Sequence, residues 1–197
     1  MRGMGMIELD KYDIFRKNKK SLKELSKDNS VPANIQYMTT SEVQAIDFDR
    51  VKSIYEDNLG LKGDHASSVD AISQTQDKTI FIEFKNGKMK SEIRKVKEKL
   101  RDSVLLFGDI VEKTVSYTRE NAEFVLVYNE EKNPLPNQLT KGIVQEAPSR
   151  TAISKILAQK GKQEFILYDL ERYKKLYFKD IHTYTEEEFE EYARNLL

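Results

Sequence analysis

The chain of 197 residues contains no cysteine. That excludes disulfide frameworks, thiol nucleophiles and cysteine-ligated zinc or iron–sulfur centres. Only two histidines occur, His65 and His182, so a His-rich metal site is excluded, and no HExxH motif is present. No apolar run approaches the roughly 18 residues needed to span a membrane. Runs such as Val104-Leu105-Leu106-Phe107 fall far short of it. Residues Met1 to Glu8 lack the apolar segment of a secretory signal, so a cytoplasmic location with no membrane partner is expected. Charge of either sign is not in excess: 33 Lys and Arg balance 33 Asp and Glu. Attraction to nucleic acid would therefore have to come from local patches.

Charged residues make up 34% of the chain and apolar residues 39%. The first value exceeds the roughly 25% of ordinary globular domains, so the surface is richly charged around one core. Residues 1–35 read as a polar, basic N-terminal arm, with six basic residues and one acid between Arg16 and Lys27. Residues 36–197 read as one α/β domain. The spacing of Val43, Ile46, Val51, Ile54 and Tyr55 predicts a helix over 40–59. Strands are predicted over 67–75 and 79–86 around the polar turn Thr75-Gln76-Asp77-Lys78. A long helix follows over 90–114, with Ile93, Val96, Leu100, Val104 and Phe107 on one face. Residues 122–129 and 164–170 read as buried strands, separated by a long loop from Asn129 to Pro148 and a short helix from Ser149 to Gly161. Thr185 and Glu188 form a capping box for a C-terminal helix, with Tyr184 and Phe189 as its hydrophobic staple. This order predicts an α/β fold with a mixed β-sheet, a hairpin plus crossover strands, flanked by helices.

The hairpin carries the chemistry. Alternation along a strand places Phe81, Glu83 and Lys85 on one face and the apolar Ile80, Ile82 and Phe84 on the other. A turn centred between Gln76 and Asp77 pairs Ile72 with Phe81, Ala71 with Ile82 and Asp70 with Glu83. Two carboxylates then stand opposite each other, with Cβ atoms about 4.5–5.5 Å apart. Such a pair destabilises the hairpin unless a cation lies between the acids. A hard dication, Mg²⁺ or Mn²⁺, takes oxygen ligands of this kind, and the backbone carbonyl of Phe84 would add a third. Lys85 beside them could position a water or stabilise charge on a phosphoryl group. An ordinary surface ion-pair ladder on an edge strand is the competing reading.

Asp70, followed after a short hairpin by Glu83-Phe84-Lys85, resembles the PD-(D/E)xK nuclease superfamily over roughly residues 40–130. The motif's proline is replaced by Val69. The resemblance implies a restriction-endonuclease-like core of helix, hairpin, helix and further strand. It implies Asp70 and Glu83 as metal ligands, Lys85 as the catalytic lysine, and Mg²⁺ or Mn²⁺ as cofactor. Some members add a glutamate from the first helix, for which Glu42 and Glu56 are both candidates. The implied activity is phosphodiester hydrolysis of nucleic acid, DNA favoured over RNA, in phage defence, mobile elements or repair. Many such enzymes act as homodimers, although no dimer signature is visible. Two alternatives stay open: a non-catalytic nucleic-acid or protein-binding module on the same fold, and an RNA-cutting toxin.

Seven cations from Lys88 to Arg101, opposed by two acids, follow the motif. Lys88, Lys90 and Arg94 lie closest to it and could track a nucleic-acid backbone, against the plainer reading of a solvated helix face. His65 reads as a surface-loop residue and His182 as structural or solvated.

Overall fold

The computed structural model describes residues 5–29, 34–63, 65–134 and 166–196. Its centre is a mixed six-stranded sheet flanked by helices. From the N-terminus, a short helix α1 (Asp13–Arg16) leads to strand β1 (Lys19–Ser21) and helix α2 (Leu22–Leu25). Two short strands, β2 (Lys27–Asp28) and β3 (Gln36–Tyr37), pair as a separate antiparallel ribbon. Strand β4 (Gln44–Asp47) runs directly into helix α3 (Phe48–Asn58), with Asp47 as its N-cap accepting from the Arg50 amide. The hairpin β5 (Ala71–Gln74) and β6 (Thr79–Lys85) follows. The long helix α4 (Met89–Ile110) and α5 (Val115–Asn121) then lead to β7 (Ala122–Tyr128). Strand β8 (Asp180–Thr185) and helix α6 (Glu186–Ala193) close the chain.

The strand order is β1-β4-β5-β6-β7-β8. The pairs from β1 to β6 are antiparallel, and β7 and β8 add in parallel through crossovers. Each face of β6 feeds its own core. Phe81 packs with Phe48, Ile72, Val96, Leu100, Phe107 and Phe178 beneath α3 and α4. Ile80, Ile82 and Phe84 pack with Leu22, Phe189, Ala193 and Leu196 beneath α2 and α6. Alternating side chains on a strand covered on both sides produce this division. The register of β5 on β6 is the predicted one, with Ile72 opposite Phe81 and Ala71 opposite Ile82. The capping box at Thr185 and Glu188 is also present.

Four differences from the sequence reading stand out. Residues 44–47 form a strand, so the helix expected over 40–59 starts at Phe48; Ala45 and Ile46 are needed to pair with β1 and β5. Residues 166–170 form a turn, and the sixth strand is β8, whose buried and half-buried residues alternate in the manner of a sheet edge. The helix expected over 90–114 stops at Ile110, and α5 was not anticipated. Within the stretch read as a basic arm, Leu9, Phe15 and Leu22 are buried and β1 belongs to the main sheet. The helix expected from Ser149 to Gly161, and the loop beyond Pro134, lie outside the described residues. Among the described residues, no helix is long and apolar enough to cross a membrane.

Candidate active site

Asp70 sits one residue before β5 and is held from three directions. Its carbonyl accepts from the Phe48 amide at 3.2 Å, the first residue of α3. Its Oδ2 accepts from the Phe84 amide of β6 at 2.7 Å. Its Oδ1 is turned to Lys99 of α4, 2.9 Å away. The approach to Asp70 is fixed by α4 as well: the Ser67 amide donates to Asp102 and the Val69 amide to the Ser103 hydroxyl. A strand residue directs its N–H and C=O to the same side. The Phe84 carbonyl therefore faces the edge where Asp70 stands.

Glu83 is fully buried, and two ammonium groups neutralise it. Lys85 Nζ is 2.8 Å from Oε1. Lys99 Nζ is 3.0 Å from Oε1 and 3.1 Å from Oε2. The contacts to Oε1 are ion pairs without hydrogen-bond geometry, which leaves a buried oxygen without a directed donor. Burial pushes the Glu83 carboxyl up to about 7 and Asp70's negative charge adds to this, against the pull of Lys99 and Lys85. Lys99 moves the other way. Burial would lower it, but Glu83, Asp70 and Asp49 together hold it above the ordinary lysine range. The directions agree with the charges each group faces: Lys99 meets several acids, whereas Glu83 is dry and has an acid beside it.

Asp49, in the first turn of α3, lies at the rim of this cluster. Its carboxylate accepts from the Ser68 hydroxyl and feels both Lys99 and Asp70. The protein packed on one side raises its carboxyl, but the residue is open to solvent, so screening keeps the energetic consequence small. Neither first-helix candidate takes that place. Glu42 is exposed and pairs with Lys23. Glu56 is buried and accepts the amides of His65 and Ala66, which closes the loop after α3. His65 itself is exposed, its ring against the Lys62 carbonyl.

The cluster opens on a cleft of about 340 Å³, lined by Asp70, Phe84, Lys85, Gly87 and Glu92 on one side and Lys27 and Asp28 on the other. Asn86, one residue past Lys85, pins the β2–β3 ribbon to this rim: its amide donates to Asp28 and to Gln36, 2.7 Å each. Lys88 stands at the N-cap of α4 and Lys90 and Arg94 on its first two turns, and all three are exposed. Lys99 does not join them. It was counted among the seven cations that follow the motif, yet Val96, Leu100 and Ser103, its helical neighbours, are buried. A lysine embedded in an apolar stripe was the signal for its inward direction.

The donors fit a hard cation in kind: the buried oxygens of Glu83, Asp70 Oδ1 and a backbone carbonyl on the same edge. They are not gathered as a ready-made cage, since no three acidic or imidazole groups among the described residues converge on one point. Comparison with known proteins returns no match to a family model, a curated protein or a solved structure.

Proposed function

We propose that the protein is a divalent-metal-dependent nuclease of the PD-(D/E)xK type, acting on DNA in preference to RNA. The observation that carries this reading is the convergence of Asp70, Glu83 and Lys85 beside an open cleft. Helix α3, the β5–β6 hairpin, α4 and the parallel strand β7 supply the element order that the resemblance implies. Asp70 and Glu83, with the Phe84 carbonyl, would hold Mg²⁺ or Mn²⁺. The ion would supply an acidified water and neutralise charge at phosphorus.

The chain's own residues do the positioning. The Phe84 amide fixes one oxygen of Asp70 and leaves the other directed into the cluster. Burial of Glu83 excludes bulk water from one side, so charges there act in a low dielectric. Lys85, about 17% exposed, can turn from Glu83 toward a phosphoryl oxygen in the cleft. Lys88, Lys90 and Arg94 would meet the flanking backbone, and binding should weaken with salt.

The ion pairs of Lys99 favour a second reading, a binding module in which the acids and lysines form a purely structural network. A cleavage assay with Mg²⁺ or Mn²⁺ on plasmid, linear and single-stranded DNA and on RNA separates the two. Cleavage should fall at least about 100-fold in Asp70→Ala and Lys85→Ala at matched folding. Equal cleavage in wild type and both variants, or none on any substrate, overturns the nuclease reading.

A further inference from the structure

We propose that Lys99 is the resident counter-ion of the carboxylate pair, occupying the position of the divalent cation, so that metal binding is an exchange in which the Lys99 ammonium leaves. The proposal rests on the nuclease reading of Asp70 and Glu83 and adds to it an internal competitor for their cation.

The geometry sets Lys99 apart from the other cations. Its nitrogen lies 2.9 Å from Asp70 Oδ1 and 3.0 Å from Glu83 Oε1, and so bridges the two acids. Lys85 touches only one of them. A cation shared by two carboxylates is what their cross-strand placement requires, since like charges opposite each other destabilise a hairpin.

Charge balance favours the exchange. Asp70 and Glu83 contribute two negative charges, and Lys85 and Lys99 contribute two positive ones. With both acids ionised, these four charges sum to zero. A dication added without loss of an ammonium would leave two uncompensated positive charges, one of whose ligands is the fully buried Glu83.

Space requires the exchange too. Magnesium binds oxygen at about 2.0–2.1 Å. The oxygens now stand about 3 Å from a common point filled by a nitrogen. They can close on a smaller ion only when that nitrogen has gone. The lysine's stem is long and its side chain is 20% exposed, so a route out to solvent exists.

The test is Mn²⁺ binding, read from the loss of the free-ion resonance in electron paramagnetic spectra. It is made on the full chain and on Lys99→Met, Lys99→Arg and Asp70→Asn. Lys99→Met should bind Mn²⁺ at least about 10-fold more tightly than wild type, because the competitor is gone. Lys99→Arg, which keeps the charge, should show no such gain and controls for disturbance of the fold. Asp70→Asn should bind at least about 10-fold more weakly than wild type. Wild-type binding with no gain in Lys99→Met overturns the exchange and leaves the metal site standing. Absence of Mn²⁺ binding in both wild type and Lys99→Met overturns the metal site and the exchange together.

Discussion

Glu123 shows how a single buried acid sets a pH limit on this fold. It is the second residue of β7, its side chain is 12% exposed, and three groups meet its Oε2. Lys78 Nζ stands at 2.8 Å, His182 Nε2 at 3.4 Å, and the Tyr192 hydroxyl donates at 3.4 Å. Burial alone would raise the carboxyl, but the contacts with His182 and Lys78 outweigh it and hold the group at about 2. A folded value below the unfolded one stabilises above the unfolded value of about 4.5 and is lost as pH falls toward 2. The full effect is at most about 3 kcal/mol, and more than half should be gone by pH 3. Urea unfolding of wild type and Glu123→Gln should therefore show a gap at pH 7 that narrows steadily below pH 4.5. A gap that is constant from pH 7 to pH 3 contradicts this account. His182 is accordingly a structural residue, stacked on Tyr184 with ring centroids 5.4 Å apart. At the proposed site, Asp70, Glu83 and Lys85 were legible because a two-residue period decides which strand side chains share a face. Lys99 was not, because a run of lysines on a helix resembles solvated surface until the burial of its neighbours is known.

Among the elements, the end of α4 carries the sharpest test. The Lys113 amide donates to the Gly108 carbonyl at 2.8 Å and the Glu112 amide to the Asp109 carbonyl at 3.2 Å. This is a Schellman ending, with Glu112 at φ 53° in the left-handed region where glycine is the usual occupant. The turning chain brings the Lys113 carbonyl within 2.7 Å of where a Cβ on Gly108 would lie. Helix propensity favours alanine over glycine by about 1 kcal/mol in a helix interior. Here the backbone clash should outweigh that gain, so Gly108→Ala should be net destabilising by about 1–3 kcal/mol. Glu112→Gly should relieve strain and raise the melting temperature. Stabilisation by Gly108→Ala in thermal unfolding would show that the turn yields. The same ending explains a boundary that the sequence hid. With glutamate where glycine is expected, nothing punctuated the apolar period, and the helix was extended to 114. The opposite failing occurred at β4, where Val43 and Ile46 fell into helical spacing with residues of α3. Sheet pairing to β1 and β5, a long-range demand, overrode the local period. The second strand of the hairpin and β7 were read well because their apolar, β-branched and aromatic runs agree with their tertiary setting, whereas the first strand, expected over 67–75, runs only from Ala71 to Gln74.

At the scale of the whole molecule, the first 28 residues bear on how the sheet is completed. Strand β1 covers the edge of β4, with Lys19 opposite Ile46 and Ser21 opposite Gln44. Leu9 and Phe15 enter the core under α3 and α4, whereas Leu22 enters the core on the other face. Gln74 of β5 ties the same segment down, since its side chain accepts from the Leu9 amide at 3.0 Å and donates to the Ile7 carbonyl at 2.6 Å. Burying each such apolar side chain contributes about 1.5–3 kcal/mol, so three contribute about 5–9 kcal/mol. That is comparable with the roughly 5–15 kcal/mol total stability of a domain. Removal would also leave β4 as an uncovered edge next to the hairpin that bears Asp70 and Glu83, and open edges recruit other chains. A chain beginning at residue 29 should therefore lose cooperative thermal unfolding or aggregate, and its amide exchange should rise across β4 and β5 as well as at the new terminus. A detachable basic arm would give the contrary result: a soluble truncated protein with an unchanged melting temperature and a weaker, less salt-sensitive hold on nucleic acid.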